Sequence, residues 1–198
     1  MLYDATRKYD MIKTLGIGDN VCDKYLHIST AYPGGNALNV AVFSKMFGAE
    51  GAYLGTFGDD VIGEHVYSVA KQIGLDISHC RFVHGDNGCA RVQLVGGDRV
   101  FLTGNKGGVS RTNPPVLTAL DEEYIRGFDL VHTSVYSYLE PQLPVLRRAS
   151  KFLSMDFSNR TDDGYLRECC PHIDCAEISC GDQPEREIRD TMGRIMAY

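Results

Sequence analysis

The most constraining feature of this sequence is a regular alternation of strand-like and helix-like segments. Short apolar runs rich in β-branched and aromatic residues predict strands, and amphipathic or longer apolar segments between them predict helices. The expected strands are residues 12–18, 52–57, 129–134, 152–157 and 174–179, and the expected helices are 36–47, 61–73, 121–126, 141–151, 165–170 and 185–198. This alternation is typical of βαβ units. We therefore expect an α/β fold with an open, mostly parallel sheet and helices on both faces.

One part of the chain interrupts this alternation. Residues 79–103 contain β-branched and aromatic residues separated by glycine turns, a pattern typical of hairpins. We expect a hairpin from residues 89–95 and 99–103, which would form a small second sheet with residues 22–31. The glycine-rich segment 104–108 lacks the spacing of a phosphate-binding loop and has no clear helix after it, so it is expected to be a hinge. No linker, repeat or low-complexity segment divides residues 1–198.

Composition argues against several classes of function. The 198 residues carry a net charge of −6, which disfavours nucleic acid as a partner, and no apolar run reaches a membrane-spanning length. The first residues lack the apolar core of a signal peptide, so we expect a cytoplasmic protein. The seven cysteines are irregularly spaced and contain no C-x-x-C motif, which favours reduced thiols over disulfides or a structural zinc site.

A glycine pair, Gly34 and Gly35, comes directly before the helix expected at residues 36–47. Glycines permit positive φ and let a ligand approach the main chain closely. Asn36 and Asn39 share a face of the first helical turn, and their carboxamides both donate and accept hydrogen bonds. This arrangement suits a polyhydroxy ligand, although a plain helix cap explains the same residues. Apolar residues cover nearly the whole circumference of this helix, so we expect it to be buried.

The first strand leads into Asp19 and Asp23, which we expect at the carboxyl edge of the sheet. Open α/β sheets bind ligands at that edge, and a carboxylate there can accept two sugar hydroxyls. A turn-closing role is the alternative for Asp19, and it explains Asn20 better than ligand binding does. Gly16 and Gly18 do not make a dinucleotide-binding fingerprint, because no third glycine and no helix follow them.

The whole ordered set of motifs resembles the PfkB, or ribokinase-like, carbohydrate kinases, and within them the bacterial fructoselysine 6-kinases. The matching segments are IGDNVCDKY, GGNALNVAVF, GDDVIGEHV, GLDISH, DRVF, DLVH and DFS, and they follow the family's order over the chain after about residue 12. The resemblance implies a ribokinase-like fold in which the small second sheet is a lid over the sugar. In this family the lid often pairs with a second subunit, which implies a homodimer.

The resemblance also implies residue roles and cofactors. The sugar would be held by Asp23, Gly34, Gly35 and Asn39, with Asp19, Asn36 and Arg91 as further candidates. Arg91 is otherwise a solvated surface residue. ATP and Mg²⁺ are the implied cofactors: Arg160 would face the phosphates, and Asp182 would serve the magnesium side. A surface loop is the alternative for Arg160. Tyr136 and Tyr138 stack on the substrate or simply pack.

The expected function is transfer of the ATP γ-phosphate to a primary hydroxyl of a sugar or fructosamine. The family's second signature, G-A-G-D, does not occur in this sequence. The resemblance therefore implies that the general-base aspartate lies beyond residue 198 and that this chain is the N-terminal portion of a kinase domain. The alternative is a catalytically inactive sugar-binding fragment. A nicotinamide-dependent oxidoreductase would rest on Gly16 and Gly18 alone and is disfavoured.

Overall fold

The structure is a computed structural model that describes residues 11–181 and 183–198. The strands are β1 (Lys13–Gly18), β2 (Val21–Tyr25), β3 (Thr30–Gly34), β4 (Glu50–Gly58), β5 (Arg81–Val83), β6 (Cys89–Val95), β7 (Asp98–Gly104), β8 (Leu130–Ser134), β9 (Leu153–Asp156) and β10 (Cys175–Glu177). The helices are α1 (Asn36–Met46), α2 (Val61–Ile73), α3 (Gly108–Thr112), α4 (Ala119–Ile125), α5 (Leu143–Ala149), α6 (Asp163–Cys169) and α7 (Glu185–Ala197).

Six strands form the main sheet in the order β10-β9-β8-β1-β4-β5, and every neighbouring pair is parallel. Parallel pairs need crossover connections, which the helices supply. From β1 the chain runs outward to β4 and β5 on one side, and later to β8, β9 and β10 on the other. The predicted α/β fold with a mostly parallel sheet is confirmed.

The core is divided between the two faces of this sheet. On one face Leu54 of β4 packs in a cluster with Leu143 and Leu146 of α5. On the other face Tyr53 and Phe57 of the same strand join a cluster that includes α1 and α2. Successive strand residues point to opposite faces, so one strand contributes to both clusters. Helices therefore cover both faces, as the sequence predicts.

The other four strands form a second sheet in the order β3-β2-β6-β7. β2 pairs antiparallel with β3 and parallel with β6, and β6 forms an antiparallel hairpin with β7. Residues 22–31 contribute to this sheet as expected, and a turn at 26–29 separates β2 from β3. The glycine-rich segment 104–108 also leads directly into the short helix α3.

The first helix is less buried than its composition indicates. Leu38 and Ala41 are buried, whereas Phe43, Met46 and Phe47 are 52%, 68% and 89% exposed. The prediction of a helix buried on nearly all sides is therefore wrong for the described chain. Apolar residues around a helix do not supply the neighbours needed to cover them, and α1 packs only one face on the sheet.

All seven cysteines are free thiols. Within residues 11–181 and 183–198 no three His, Cys, Asp or Glu side chains are grouped so that they could hold a metal ion. None of the helices described is both long enough and apolar enough to cross a membrane.

Candidate functional site

β1 lies between β4 and β8 in the main sheet. Successive strands are added on the β4 side first and on the β8 side later, so the strand order reverses next to β1. Beside such a reversal the loops leaving the two neighbouring strands diverge and open a crevice at the carboxyl ends of the strands. β1 ends at Gly18, and β8 ends beside it at Ser134. α1 begins at this same edge, so the polar residues after β1 and at the start of α1 are brought together.

Asp19 is buried at this edge and is surrounded by donors. Its carboxylate accepts hydrogen bonds from the backbone N–H groups of Asn36 and Ala37, the first residues of α1. The hydroxyls of Ser134 and Ser137 donate to its Oδ1 over 2.8 Å and 2.9 Å. A carboxylate at a helix N-terminus satisfies N–H groups that have no partner within the helix. Asp19 therefore anchors the start of α1 to the end of β8.

Asn36 bridges two strands of the main sheet through its side chain. Its Nδ2 donates to Asp156 over 2.6 Å, and its Oδ1 lies 2.7 Å from Nε2 of His132. An ionised carboxylate can only accept hydrogen bonds, so the NH₂ group of the Asn36 amide must face Asp156. The Asn36 oxygen must then accept from His132, whose other ring nitrogen lies 2.7 Å from Oγ of Ser154. Burial lowers the pKa of His132, which favours the neutral form of the ring.

A cavity of about 680 Å³ opens beside these residues, between the carboxyl edge of the main sheet and the second sheet. Its lining brings together five of the seven residues expected to contact the sugar: Asp19, Asp23, Gly35, Asn36 and Asn39. The rest of its lining is Asn20, Val21, Arg99, Phe101, Lys106, Gly107, Ser110, Arg111, Tyr136 and Tyr138. The predicted clustering of carboxylates and carboxamides is thus present as one surface.

Asp23 is half-buried on β2 and lines this cavity. Burial raises the pKa of its carboxyl group, and the positive charge of Arg99 opposes that rise. Gly34 of β3 pairs with Val21 of β2, and a Cβ on Gly34 would lie 3.3 Å from Oδ2 of Asp23. Gly34 is thus not part of the lining but leaves room for the Asp23 side chain.

Gly35 supplies the turn between β3 and α1. Its φ of 107° is a conformation that other residues rarely adopt, and a Cβ there would lie 2.6 Å from the Cα of Asn20. The close approach of these two segments needs a glycine. The chain can therefore enter α1 directly beside Asp19.

The structure puts Arg91 in a different position from the one that the resemblance implies. Its side chain is exposed on β6 and is not part of the cavity lining. Arg99 of β7 lines the cavity instead, together with Phe101 two residues further on the same face of the strand. The alternation of residues along β7 was the available signal for this pair, but it does not tell which face of the lid is turned inward.

Arg160 lies in the loop after β9, at a neighbouring cavity of about 670 Å³. Its guanidinium stacks 3.5 Å above the Tyr165 ring and lies 3.6 Å from Glu140 and 3.7 Å from Asp162. Half of the Arg160 side chain remains exposed. Asp182, the other residue expected on the phosphate side, lies outside the residues that the structure describes.

Comparison with known proteins decides the family. Residues 10–174 match the family described as pfkB family carbohydrate kinase. The chain belongs to the pfkB family of carbohydrate kinases. The sequence is 43% identical over 188 residues to the fructosamine kinase FrlD of Bacillus subtilis (strain 168), covering 94% of this chain and 66% of that protein. It is 33% identical over 187 residues to the fructoselysine 6-kinase of Escherichia coli (strain K12), covering 94% and 70%.

Solved structures support the same fold. The ribokinase of Giardia lamblia superposes with a TM-score of 0.77 at 12% identity, covering 95% of this chain and 66% of that one. The Arabidopsis thaliana ribokinase complexed with ribose and ATP gives a TM-score of 0.71 at 15% identity, covering 96% and 69%. This pfkB chain thus spans about two thirds of the length of the curated relatives it matches.

Proposed function

We propose that this protein is an ATP-dependent kinase that phosphorylates a primary hydroxyl of a fructosamine such as fructoselysine, and that residues 11–181 provide its sugar-binding site. The observation that carries the proposal is the 680 Å³ cavity at the carboxyl edge of a pfkB-family sheet, where Asp23 and Asn39 face the same space. Carboxylates and carboxamides are the groups that recognise adjacent hydroxyls. The names of the two curated relatives, fructosamine kinase and fructoselysine 6-kinase, support this class of substrate.

The residues of the cavity take two kinds of role in this proposal. Asp23 accepts hydrogen bonds from sugar hydroxyls, and the exposed carboxamide of Asn39 donates and accepts beside it. Gly35 lets the sugar approach the main chain. Asp19 and Asn36 act mainly as positioning residues, because their side chains already bond to α1, β8 and β9. Gly34 keeps the space for Asp23 free.

ATP is the phosphate donor in this proposal, and Arg160 contacts the phosphates of the nucleotide. A guanidinium suits phosphate oxygens well, but Arg160 would have to exchange its contacts with Glu140 and Asp162 for them. Asp182 is proposed for the magnesium side. The described residues hold no group of side chains suited to a metal ion, so we derive no step through Mg²⁺.

We also propose that the second sheet closes over the sugar as a lid and pairs with the lid of a second copy. Its hairpin carries exposed apolar side chains on the face opposite to Arg99, among them Val95 and Val100. Such a patch favours association. Sedimentation should show a dimer that Val100→Asp dissociates; a monomeric wild-type protein would contradict this.

We also propose a cytoplasmic location, which agrees with the seven free thiols. Cell fractionation tests this location.

The kinase proposal is tested on the full-length protein by measuring ADP formation with each member of a panel of ketoses, fructosamines and nucleosides. The expected result is ADP formation only when a fructosamine or ketose is present. No acceptor-dependent turnover across the panel would overturn the kinase proposal.

A second candidate function is sugar binding without phosphate transfer. The cavity that brings Asp23 and Asn39 together is sufficient for such binding. Calorimetric binding of fructoselysine without any ADP formation would favour this sugar-binding role. Binding together with turnover would exclude it.

A further inference from the structure

The cavity carries an excess of positive charge in a protein whose net charge is −6. Three cationic side chains line it: Arg99, Lys106 and Arg111. The opposing carboxylates are Asp19, which already accepts four hydrogen bonds, and Asp23. Among the described residues none of the three cations forms a salt bridge. A cationic pocket in an acidic protein attracts anions.

These cations come from three separate elements and line the same cavity. Arg99 is on β7, Arg111 is on α3, and Lys106 is in the loop that joins them. Lys106 has φ of 56°, and Tyr138, whose ring lies 5.6 Å from the guanidinium carbon of Arg111, has φ of 54°. Non-glycine residues rarely adopt this backbone conformation, which costs about 1 kcal/mol or more and clusters at ligand sites.

We propose that Arg99, Lys106 and Arg111 form an anion subsite that binds the free carboxylate of an amino-acid-derived fructosamine. This inference rests on the proposed function, because it assigns the part of the substrate that is not sugar. The sugar hydroxyls lie at Asp23 and Asn39, and the amino-acid portion extends toward β7 and α3. A guanidinium recognises a carboxylate through paired hydrogen bonds.

A nucleotide phosphate is the other anion that a kinase of this family would meet. The cavity favours the carboxylate because Asp23 lines the same space and repels the several negative charges of a polyphosphate more strongly than the single charge of a carboxylate. A fructosamine carries a protonated amine as well as a carboxylate, so it matches a cavity with charges of both signs. Arg160, the residue proposed for the phosphate side, lines a different cavity.

The test is isothermal titration calorimetry of the purified protein with three probes: fructoselysine, its carboxamide and fructose. The carboxamide differs from fructoselysine only by loss of the negative charge. The expected result is that the wild-type protein binds fructoselysine about tenfold more tightly than the carboxamide. Arg99→Gln and Arg111→Gln should each reduce the ratio between the affinities for fructoselysine and for its carboxamide.

The matched control is Arg148→Gln, which removes the same charge from an exposed position on α5 outside the cavity. It should keep the wild-type preference. Equal affinity of the wild-type protein for fructoselysine and its carboxamide would overturn the carboxylate subsite but leave the proposed function standing. Competition of ADP with fructoselysine would assign the cations to the nucleotide and also overturn it. If no probe binds, both the subsite and the proposed function fail.

Discussion

Asn36, at the start of α1, donates a 2.6 Å hydrogen bond to Asp156, at the end of β9. The two residues are 120 positions apart in sequence. Together with the bond between Asn36 and His132, this contact fixes the first turn of α1 above the carboxyl ends of β8 and β9. The position of Asn39, one turn along the helix, depends on it.

Replacement of Asn36 by aspartate tests this bridge. Asn36→Asp puts a second carboxylate against Asp156, so repulsion replaces a hydrogen bond, and we expect a loss of about 3 kcal/mol in the free energy of unfolding. Urea unfolding measures this. The matched control is Asn39→Asp, an exposed position in the same helical turn, which should change stability by about 0.5 kcal/mol or less. Equal losses in the two variants would show that the bridge does not stabilise α1.

Gly35 provides a second test, of the turn that lets α1 start beside Asp19. Gly35→Ala introduces a Cβ 2.6 Å from the Cα of Asn20, whereas Gly48→Ala introduces one in open space. Both glycines have positive φ, 107° and 96°, so both variants carry backbone strain. We therefore expect Gly35→Ala to lose about 2 kcal/mol more than Gly48→Ala in chemical denaturation. Similar losses would contradict the close contact with Asn20.

Stability should also depend on pH through His132. Burial lowers the pKa of this residue below its ordinary value near 6.5, while the nearby charges of Glu177, Asp156 and Asp19 oppose the shift. Between the lowered pKa and about 6.5 the unfolded chain takes up a proton that the folded chain does not, so stability should fall as pH falls.

The corresponding variant is His132→Gln, which keeps a donor for Asn36 but does not titrate. Unfolding measured at pH 7.5 and pH 5.5 should show a smaller stability gap between wild type and variant at the lower pH. A gap that does not change with pH would contradict a buried neutral histidine.

The sequence predicts the layout of this site better than its details. The alternation of strand-like and helix-like segments predicted the parallel sheet and both helical layers. The ordered family motifs predicted that residues after β1 and at the start of α1 line the cavity. The exposure of Phe43 and Phe47 was not predictable, because amphipathicity does not reveal which neighbours a helix has. His132 and Arg99 were missed for a related reason: their roles depend on contacts with residues distant in sequence, which strand alternation and motif order do not specify.

The most direct test of the account is fructoselysine binding by Asp23→Asn, measured by calorimetry beside the free energy of unfolding of the same variant. Burial raises the pKa of Asp23, so the folded protein holds this charge at a cost, and its removal should leave stability unchanged or higher. The account predicts affinity for fructoselysine weakened at least about tenfold with no loss of stability. Unchanged affinity in Asp23→Asn would contradict the claim that this cavity holds the sugar.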